Sequence, residues 1–267
     1  MDLSIIIPNF NTKKLLRACL TSIKKNKGKL SVEVIVVDNG STDSSVDYLK
    51  KEKEKIAQSI FLDQNWGFAV AVNKGIKKAK GKFILLLNSD TQVQKETLKE
   101  AVDFGQKHPQ AILGLQLVNP DGSVQPSVFN FPSLVGAIKE FWLGKEGSYQ
   151  KYVPSLKKPI KVDAVIGAAM LIPQKIIKQI GLLDEKYFFY FEDLDYCRRA
   201  HQKGFKVFYL PVAKVLHYHG AAGKAMPEQT HQWLVESSKR YNGLLRYYWL
   251  TLIISLGQKW RRLIGRS

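Results

Sequence analysis

The apolar run FILLL at residues 83–87 stops at Asn88-Ser89-Asp90. Side chains one residue apart on an extended segment point the same way, so positions 88 and 90 face one common space. Two carboxylates so placed would suggest a metal site. Here the first is an amide, so that reading depends on the rest of the chain. A second polar cluster follows the aromatic run YFFYF at residues 187–191, where Glu192-Asp193 opens a helical segment. Adjacent carboxylates separate in pKa, which leaves one of them tunable for proton transfer. Asp38 ends another apolar run just before Gly40-Ser41-Thr42; taken alone, it reads as a helix cap.

The elements that must position these groups alternate between two periods. Strands are expected at residues 3–8, 32–38, 59–62 and 82–88, and helices at 12–25, from the NGSTDSS turn to about 57, and at 66–79. Continuous apolar strands alternating with helices imply an α/β fold whose mostly parallel sheet is covered on both faces. Ligands in such sheets bind beyond the carboxyl ends of the strands. Pro8-Asn9, Asp38 and Asn88-Ser89-Asp90 all fall there. No GxGxxG follows the first strand and no GxxxxGK[ST] occurs, which disfavours dinucleotide-binding and P-loop domains. The second half is less regular. Short strands are expected at 112–118, 123–129, 161–165 and 167–172, with helices at 173–180 and 192–203.

At 267 residues, 45% hydrophobic and 24% charged, the chain can bury a sizeable core. Its net charge of +18 calls for an anionic partner: nucleic acid, an acidic membrane face or a phosphorylated small molecule. Cys19 and Cys197 stand far apart and read as reduced thiols. No secretory signal precedes LSIIIP, so a cytoplasmic location is expected. Residues 226–267 read as one or two helices. The uncharged interval from Tyr247 to Gln258 would be about 18 Å long at 1.5 Å per residue, short of the roughly 30 Å hydrocarbon core. Trp249, Trp260 and flanks rich in Lys and Arg fit a helix lying in an anionic membrane interface. The alternative is a helix packed on the domain or at a homo-oligomer interface.

Four separated segments, SIIIPNFN, VIVVDNGSTDSS, NWGFAVAVNKGIKKAKGKFILLLNSD and FFYFEDLDYCRRAHQKGF, together resemble the family 2 glycosyltransferases with the GT-A fold. The LLLNSD and FEDLDYCRR wording is similar to rhamnosyltransferase-like members that build bacterial surface polysaccharides. The resemblance covers roughly residues 3–222. It implies a donor site of Pro8, Asn9, Asn11, Asp38, Asn65, Gly67, Asn73, Lys74, Asn88, Ser89 and Asp90, with Asp38 accepting the N3–H of uracil or thymine. Asn65, Trp66 and Gly67 would start a helix whose N–H groups favour an anion; Asn73 and Lys74 are either structural or reach the nucleotide. Asn88-Ser89-Asp90 occupies the D-x-D position, which implies Mg²⁺ or Mn²⁺ held by Asp90, Asn88 and His217. His217, as a third metal ligand or a phosphate contact, and Gly220 match an H-x-x-G-x-S element whose serine is replaced by Ala222, and His219 competes for the role. Asp193 would be the general base, with Glu192 beside it on the acceptor side, and Gly167, Ala168 and Ala169 would leave room for the acceptor. Asp195 sits at salt-bridge spacing from Arg198 and Arg199 and is simplest as a structural group.

The resulting expectation is a metal-dependent inverting glycosyltransferase. Residues 1–224 form its catalytic domain and 225–267 a basic helical segment peripherally bound to the inner face of the membrane. A UDP- or dTDP-sugar would supply a hexose, rhamnose among the candidates, to a polyprenyl diphosphate-linked glycan. No nucleic-acid recognition motif appears, and the charge no longer requires one. A non-catalytic nucleotide-sugar-binding scaffold of a polysaccharide assembly complex is the competing reading, sustained by Asn88 and Ala222.

Overall fold

The computed structural model describes residues 1–52, 55–155, 157–218 and 227–265; His219, Gly220 and Ala222 lie outside the described residues. The first half alternates β1 (Leu3–Asn9), α1 (Lys13–Asn26), β2 (Val32–Asn39), α2 (Ser45–Lys51), β3 (Gln58–Leu62), α3 (Phe68–Ile76) and β4 (Phe83–Leu87). Then come β5 (Thr91–Val93), α4 (Thr97–Lys107), β6 (Ala111–Val118), β7 (Val128–Phe129), α5 (Leu134–Phe141), β8 (Ile160–Lys161), β9 (Ala164–Val165) and β10 (Ala169–Pro173). The chain continues through α6 (Gln174–Ile180), α7 (Glu192–Gln202), β11 (Lys206–His217), α8 (Pro227–Asn242) and α9 (Leu244–Leu263).

The main sheet runs β3-β2-β1-β4-β10-β6-β11-β5, with β8 added on β11. Pairing is parallel from β3 to β4 and between β6 and β11, whereas β10 and β5 run against their neighbours. The sheet is therefore mixed but mostly parallel. Its central strands are apolar on both faces because both are covered. Ile5, Ile7, Leu85 and Leu87 pack with α1 and α4, while Ile6, Ile84 and Leu86 pack with α3, α6 and α7. Helix α1 buries Leu16, Cys19, Leu20 and Ile23, the face its periodicity predicts. Both cysteines are buried and unpaired, and burial pushes each thiol up to about 12.

Three expectations change. Helix α2 ends at Lys51 rather than near residue 57. The strand expected at 123–129 is only β7, and that expected at 161–165 divides into β8 and β9, which join different sheets. The break falls at Asp163, whose carboxylate accepts a hydrogen bond from Phe131 N instead of leaving the backbone to run straight. The expected elements also omitted α4 and most of β11, the strand that carries His217.

The C-terminal helices continue the body of the protein. Ser237 Oγ donates to Phe189 O, and Arg240 pairs with Asp184 at 2.7 Å. Helix α9 packs on α5, burying Leu250 against Ala137 and Phe141. Trp142 Nε1 donates to Ile253 O. The approach is close enough that a Cβ on Gly257 would lie 2.8 Å from Trp142. A second face of α9 is also apolar yet exposed, through Leu245, Trp249, Leu252, Leu256 and Trp260. The tail thus packs on the domain with one face and leaves a second apolar face uncovered. Among the described residues, no helix is long and apolar enough to cross a membrane.

Leu250 is 2% exposed and Leu245 76%. Leu250→Ala should lower stability by about 2–5 kcal/mol in urea denaturation, whereas Leu245→Ala should stay within about 0.5 kcal/mol. Equal effects would contradict the packing of α9 on α5.

Candidate active site

The carboxyl ends of β1, β2 and β4 are tied by one chain of buried hydrogen bonds. Asn9 Nδ2 donates to Asp38 Oδ2 at 2.8 Å, and Ser41 N donates to Asp38 Oδ1 at 2.9 Å. Thr12 Oγ1 donates to Asn9 Oδ1 at 2.7 Å. That spends the Thr12 proton, so Ser89 Oγ must be the donor in its 2.8 Å contact with Thr12 Oγ1. Asn39, next to Asp38, bonds to Asn65 Oδ1 and Gly67 O through Nδ2 and accepts from Trp66 N. The start of α3 is thereby fixed to the end of β2. Gly67 itself must be glycine: φ is +88°, and a Cβ would sit 2.4 Å from Phe188 O.

Beside this satisfied network lie two unsatisfied oxygens. Asn88 Oδ1 and Asp90 Oδ1 are buried without a hydrogen-bond partner, a costly arrangement unless something else binds them. His217 Nε2 lies 3.4 Å from Asp90 Oδ1. Its other ring nitrogen, Nδ1, contacts Gln125 Oε1 at 2.8 Å. A carboxylate, an amide oxygen and an imidazole suit a hard or borderline divalent cation. Among the described residues no three His, Cys, Asp or Glu side chains form a complete metal cluster, so substrate oxygens would have to complete the shell.

Across the cleft, α7 starts directly after two residues in left-handed conformation, Tyr190 (φ +68°) and Phe191 (φ +66°). Neither is glycine, and such backbone strain persists only where the surroundings hold it. It brings Glu192 and Asp193 to the cleft wall. Asp193 Oδ2 accepts from Gly167 N at 3.0 Å and Oδ1 from Leu194 N at 2.8 Å. Burial pushes the Glu192 carboxyl well above the usual range, and the Asp193 charge adds to the effect. Burial also raises Asp193, but the Gly167 and Leu194 N–H groups and the Lys151 ammonium act against it. The pair therefore titrates apart, with Asp193 ionising first. Asp195 is a structural group, held by Arg198 at 3.0 Å and Arg199 at 2.7 Å.

One cleft of about 730 Å³ joins both sides. Pro8, Asn9, Asn65, Gly67, Asn88, Ser89, Asp90, Gly167, Ala168, Glu192, Asp193 and His217 all line it. Asn11, Asp38, Asn73, Lys74 and Ala169 are not among the lining residues. Asn11 Oδ1 instead receives the Thr42 and Asp43 N–H groups. Asp38 is 0% exposed with both oxygens bonded inside the protein. Asn73 exchanges hydrogen bonds with Leu183 and reaches Glu185, which pins the loop before α7. Lys74 points to solvent, and Ala169 is buried in β10. The residue reading missed Asn39, Lys151 and Trp233 on the wall. Asn39 was reachable, since it too ends a parallel strand. Trp233 was not, because it arrives only when α8 folds back to stack on Phe188 at 4.5 Å between ring centroids.

Comparison with known proteins agrees with this geometry. The chain is 28% identical over 207 residues to an N-acetylglucosaminyl-diphospho-decaprenol L-rhamnosyltransferase of Mycobacterium tuberculosis, covering 70% of this chain and 66% of that protein. S. aureus TarS 1–349 in complex with UDP-GlcNAc superposes with a TM-score of 0.58 at 20% identity, covering 95% of this chain and 70% of that one. GalNAc-T7 with UDP, GalNAc and Mn²⁺ gives a TM-score of 0.63 at 16% identity, covering 81% of this chain and 44% of that one. At these identities the structures establish the shared GT-A fold. The family model for glycosyl transferase family 2 matches residues 4–181, more than half of the chain, and the protein belongs to that family.

Proposed function

We propose that this glycosyltransferase moves a sugar from a nucleoside diphosphate to a hydroxyl of a lipid-linked glycan, with inversion, in the cleft between β4 and α7. The observation that carries the reading is the pairing of unlike groups in one cleft. Buried unpaired oxygens at Asn88 and Asp90 face it from one side, and the donor-held carboxylate Asp193 faces it from the other. Asp90, Asn88 and His217 would hold Mg²⁺ or Mn²⁺, which when bound would neutralise charge on the leaving diphosphate. The chain's own contribution is orientation and proton transfer. Asp193 takes the proton from the acceptor hydroxyl as its oxygen bonds to the anomeric carbon, and the electron pair of the breaking bond leaves with the diphosphate. Glu192, kept protonated by burial, donates a hydrogen bond to the acceptor sugar. One base at the reacting oxygen suffices for a single displacement, which inverts the anomeric centre.

A UDP- or dTDP-linked donor is supported by the UDP complexes of TarS and GalNAc-T7. The lipid-linked acceptor is supported by the decaprenol-linked chemistry in the mycobacterial relative's name. The aromatic wall of Phe188, Tyr190 and Trp233 also suits sugar stacking and an apolar aglycone. The uncovered face of α9, flanked by Lys239, Arg246, Lys259 and Arg262, would hold the protein at an anionic membrane where such acceptors reside.

Asp193→Asn should lower kcat by about 10²–10⁴-fold while leaving UDP binding with Mn²⁺ within about twofold, and Glu192→Gln should retain most turnover. Because Asp193 is raised above 3.8, its base form is lost as pH falls through that raised value. The acid limb of kcat/KM should therefore lie above an ordinary aspartate's and vanish in Asp193→Asn. Near-normal turnover in that variant would remove the base assignment. Tight nucleotide binding with no transfer to any acceptor would favour a scaffold.

Asp90→Ala should abolish Mn²⁺-dependent binding of UDP in calorimetry, and Asn88→Ala should weaken it only in part. Negligible effects from both would contradict the cation reading.

Full-length protein should sediment with phosphatidylglycerol vesicles and be released as salt rises. Lys259→Glu with Arg262→Glu should weaken this by about 1 kcal/mol or more per lost cation without changing Tm. Indifference to vesicles at low salt would contradict membrane docking.

A further inference from the structure

The turn between β6 and β7 carries a hydrogen-bond relay whose polarity is fixed from end to end. Asp121 Oδ1 accepts from Ser123 Oγ at 2.7 Å and from Ser123 N at 2.9 Å. The only Ser123 hydroxyl proton is thus committed, so Ser123 Oγ accepts from Asn119 Nδ2 at 2.8 Å. That orients the Asn119 amide, whose Oδ1 accepts from Gln125 Nε2 at 2.6 Å. Gln125 Nε2 also donates to the backbone oxygen of His217 at 2.7 Å, an atom that can only accept. Both constraints leave Gln125 Oε1 as the atom opposite His217 Nδ1, at 2.8 Å. An oxygen there requires the ring nitrogen to carry the hydrogen.

We propose that Gln125, held by Asn119, Ser123 and Asp121, is a positioning residue that locks His217 as the Nδ1–H tautomer. With the proton placed on Nδ1, Nε2 is the ring nitrogen that faces Asp90 Oδ1, 3.4 Å away. An imidazole nitrogen and a carboxylate oxygen thus face one point, which is the arrangement a cation would need from them. Gln125 is itself 4% exposed, so little solvent competes for its amide. The Nδ1 hydrogen follows from the hydrogen bonds alone, while its use at Asp90 rests on the cation reading above. Nothing in the sequence NPDGSVQ marks it, since the turn residues suit any tight loop.

Nitrogen NMR of the metal-free, histidine-labelled chain tests the relay where the imidazole is neutral, with His217→Asn used to assign the signals. Wild-type protein should show a protonated Nδ1 and an unprotonated Nε2 at His217. Gln125→Leu should shift the ring toward the Nε2–H form and weaken Mn²⁺ affinity in the presence of UDP by about 10–100-fold. Gln125→Glu keeps an acceptor opposite Nδ1 and should preserve the tautomer. If thermal unfolding shows that Gln125→Leu does not fold, Asn119→Ala on the exposed turn should give a partial mixture of tautomers. An Nε2–H ring in the wild type, or a tautomer indifferent to these substitutions, would overturn the proposal. Mn²⁺ affinity indifferent to Asp90→Ala would overturn the cation reading instead and leave the tautomer result to judge the relay.

Discussion

Buried polar groups at the carboxyl ends of parallel strands must find partners or leave their strands free to shift, and this constraint organises the protein. Asp38, Asn9, Thr12 and Ser89 meet it by passing hydrogen bonds in one direction from β4 through β1 to β2. A single missing partner in such a chain would strand a buried donor or acceptor, at about 1–3 kcal/mol. Three strand ends are fixed as a unit. Against that rigid floor the two unpaired oxygens of Asn88 and Asp90 stand out, because neighbours a residue away are fully satisfied. The ligand-binding capacity of the floor is what the internal network leaves over.

The opposite wall is built by strain rather than by satisfaction. Tyr190 and Phe191 hold left-handed backbone so that α7 begins with its carboxylates in the cleft. Phe188 O is anchored by Phe68 N at 2.8 Å, an approach only Gly67 permits. Ser237 and Trp233 of α8 brace the same aromatic segment from outside. The C-terminal helices therefore shape the aromatic wall of the cleft as well as offering an apolar face, and they differ from an appendage joined by a linker.

Residues 1–90 are legible in the sequence because apolar strands and periodic helices follow one another with little interruption. The D-x-D-like triplet, the Glu192-Asp193 pair and Gly167-Ala168 could be assigned to one cleft for the same reason: each ends or starts a regular element. What the sequence hides are contacts made by irregular chain. Asn73 looks like a nucleotide ligand from its helix, yet the loop at 183–185 claims its amide. Asp38 reads from its strand end as a helix cap or an acceptor for a base N3–H, yet Asn9 and Ser41 bond both its oxygens inside the protein. Gln125 sits in a turn and acts on a histidine 92 residues away in sequence. Local pattern cannot encode such pairings; that of Gln125 with His217 arises because β6 and β11, far apart in the chain, are parallel neighbours in the sheet.

The proposed chemistry is a single displacement served by one base. Proton NMR of donor turnover with water as a slow acceptor tests it without knowledge of the natural acceptor. A panel of UDP- and dTDP-sugars with Mn²⁺ should include one that the protein hydrolyses, and the first-formed free sugar should carry the anomeric configuration opposite to the donor's before it equilibrates. First-formed sugar that retains the donor's configuration would contradict the proposed mechanism.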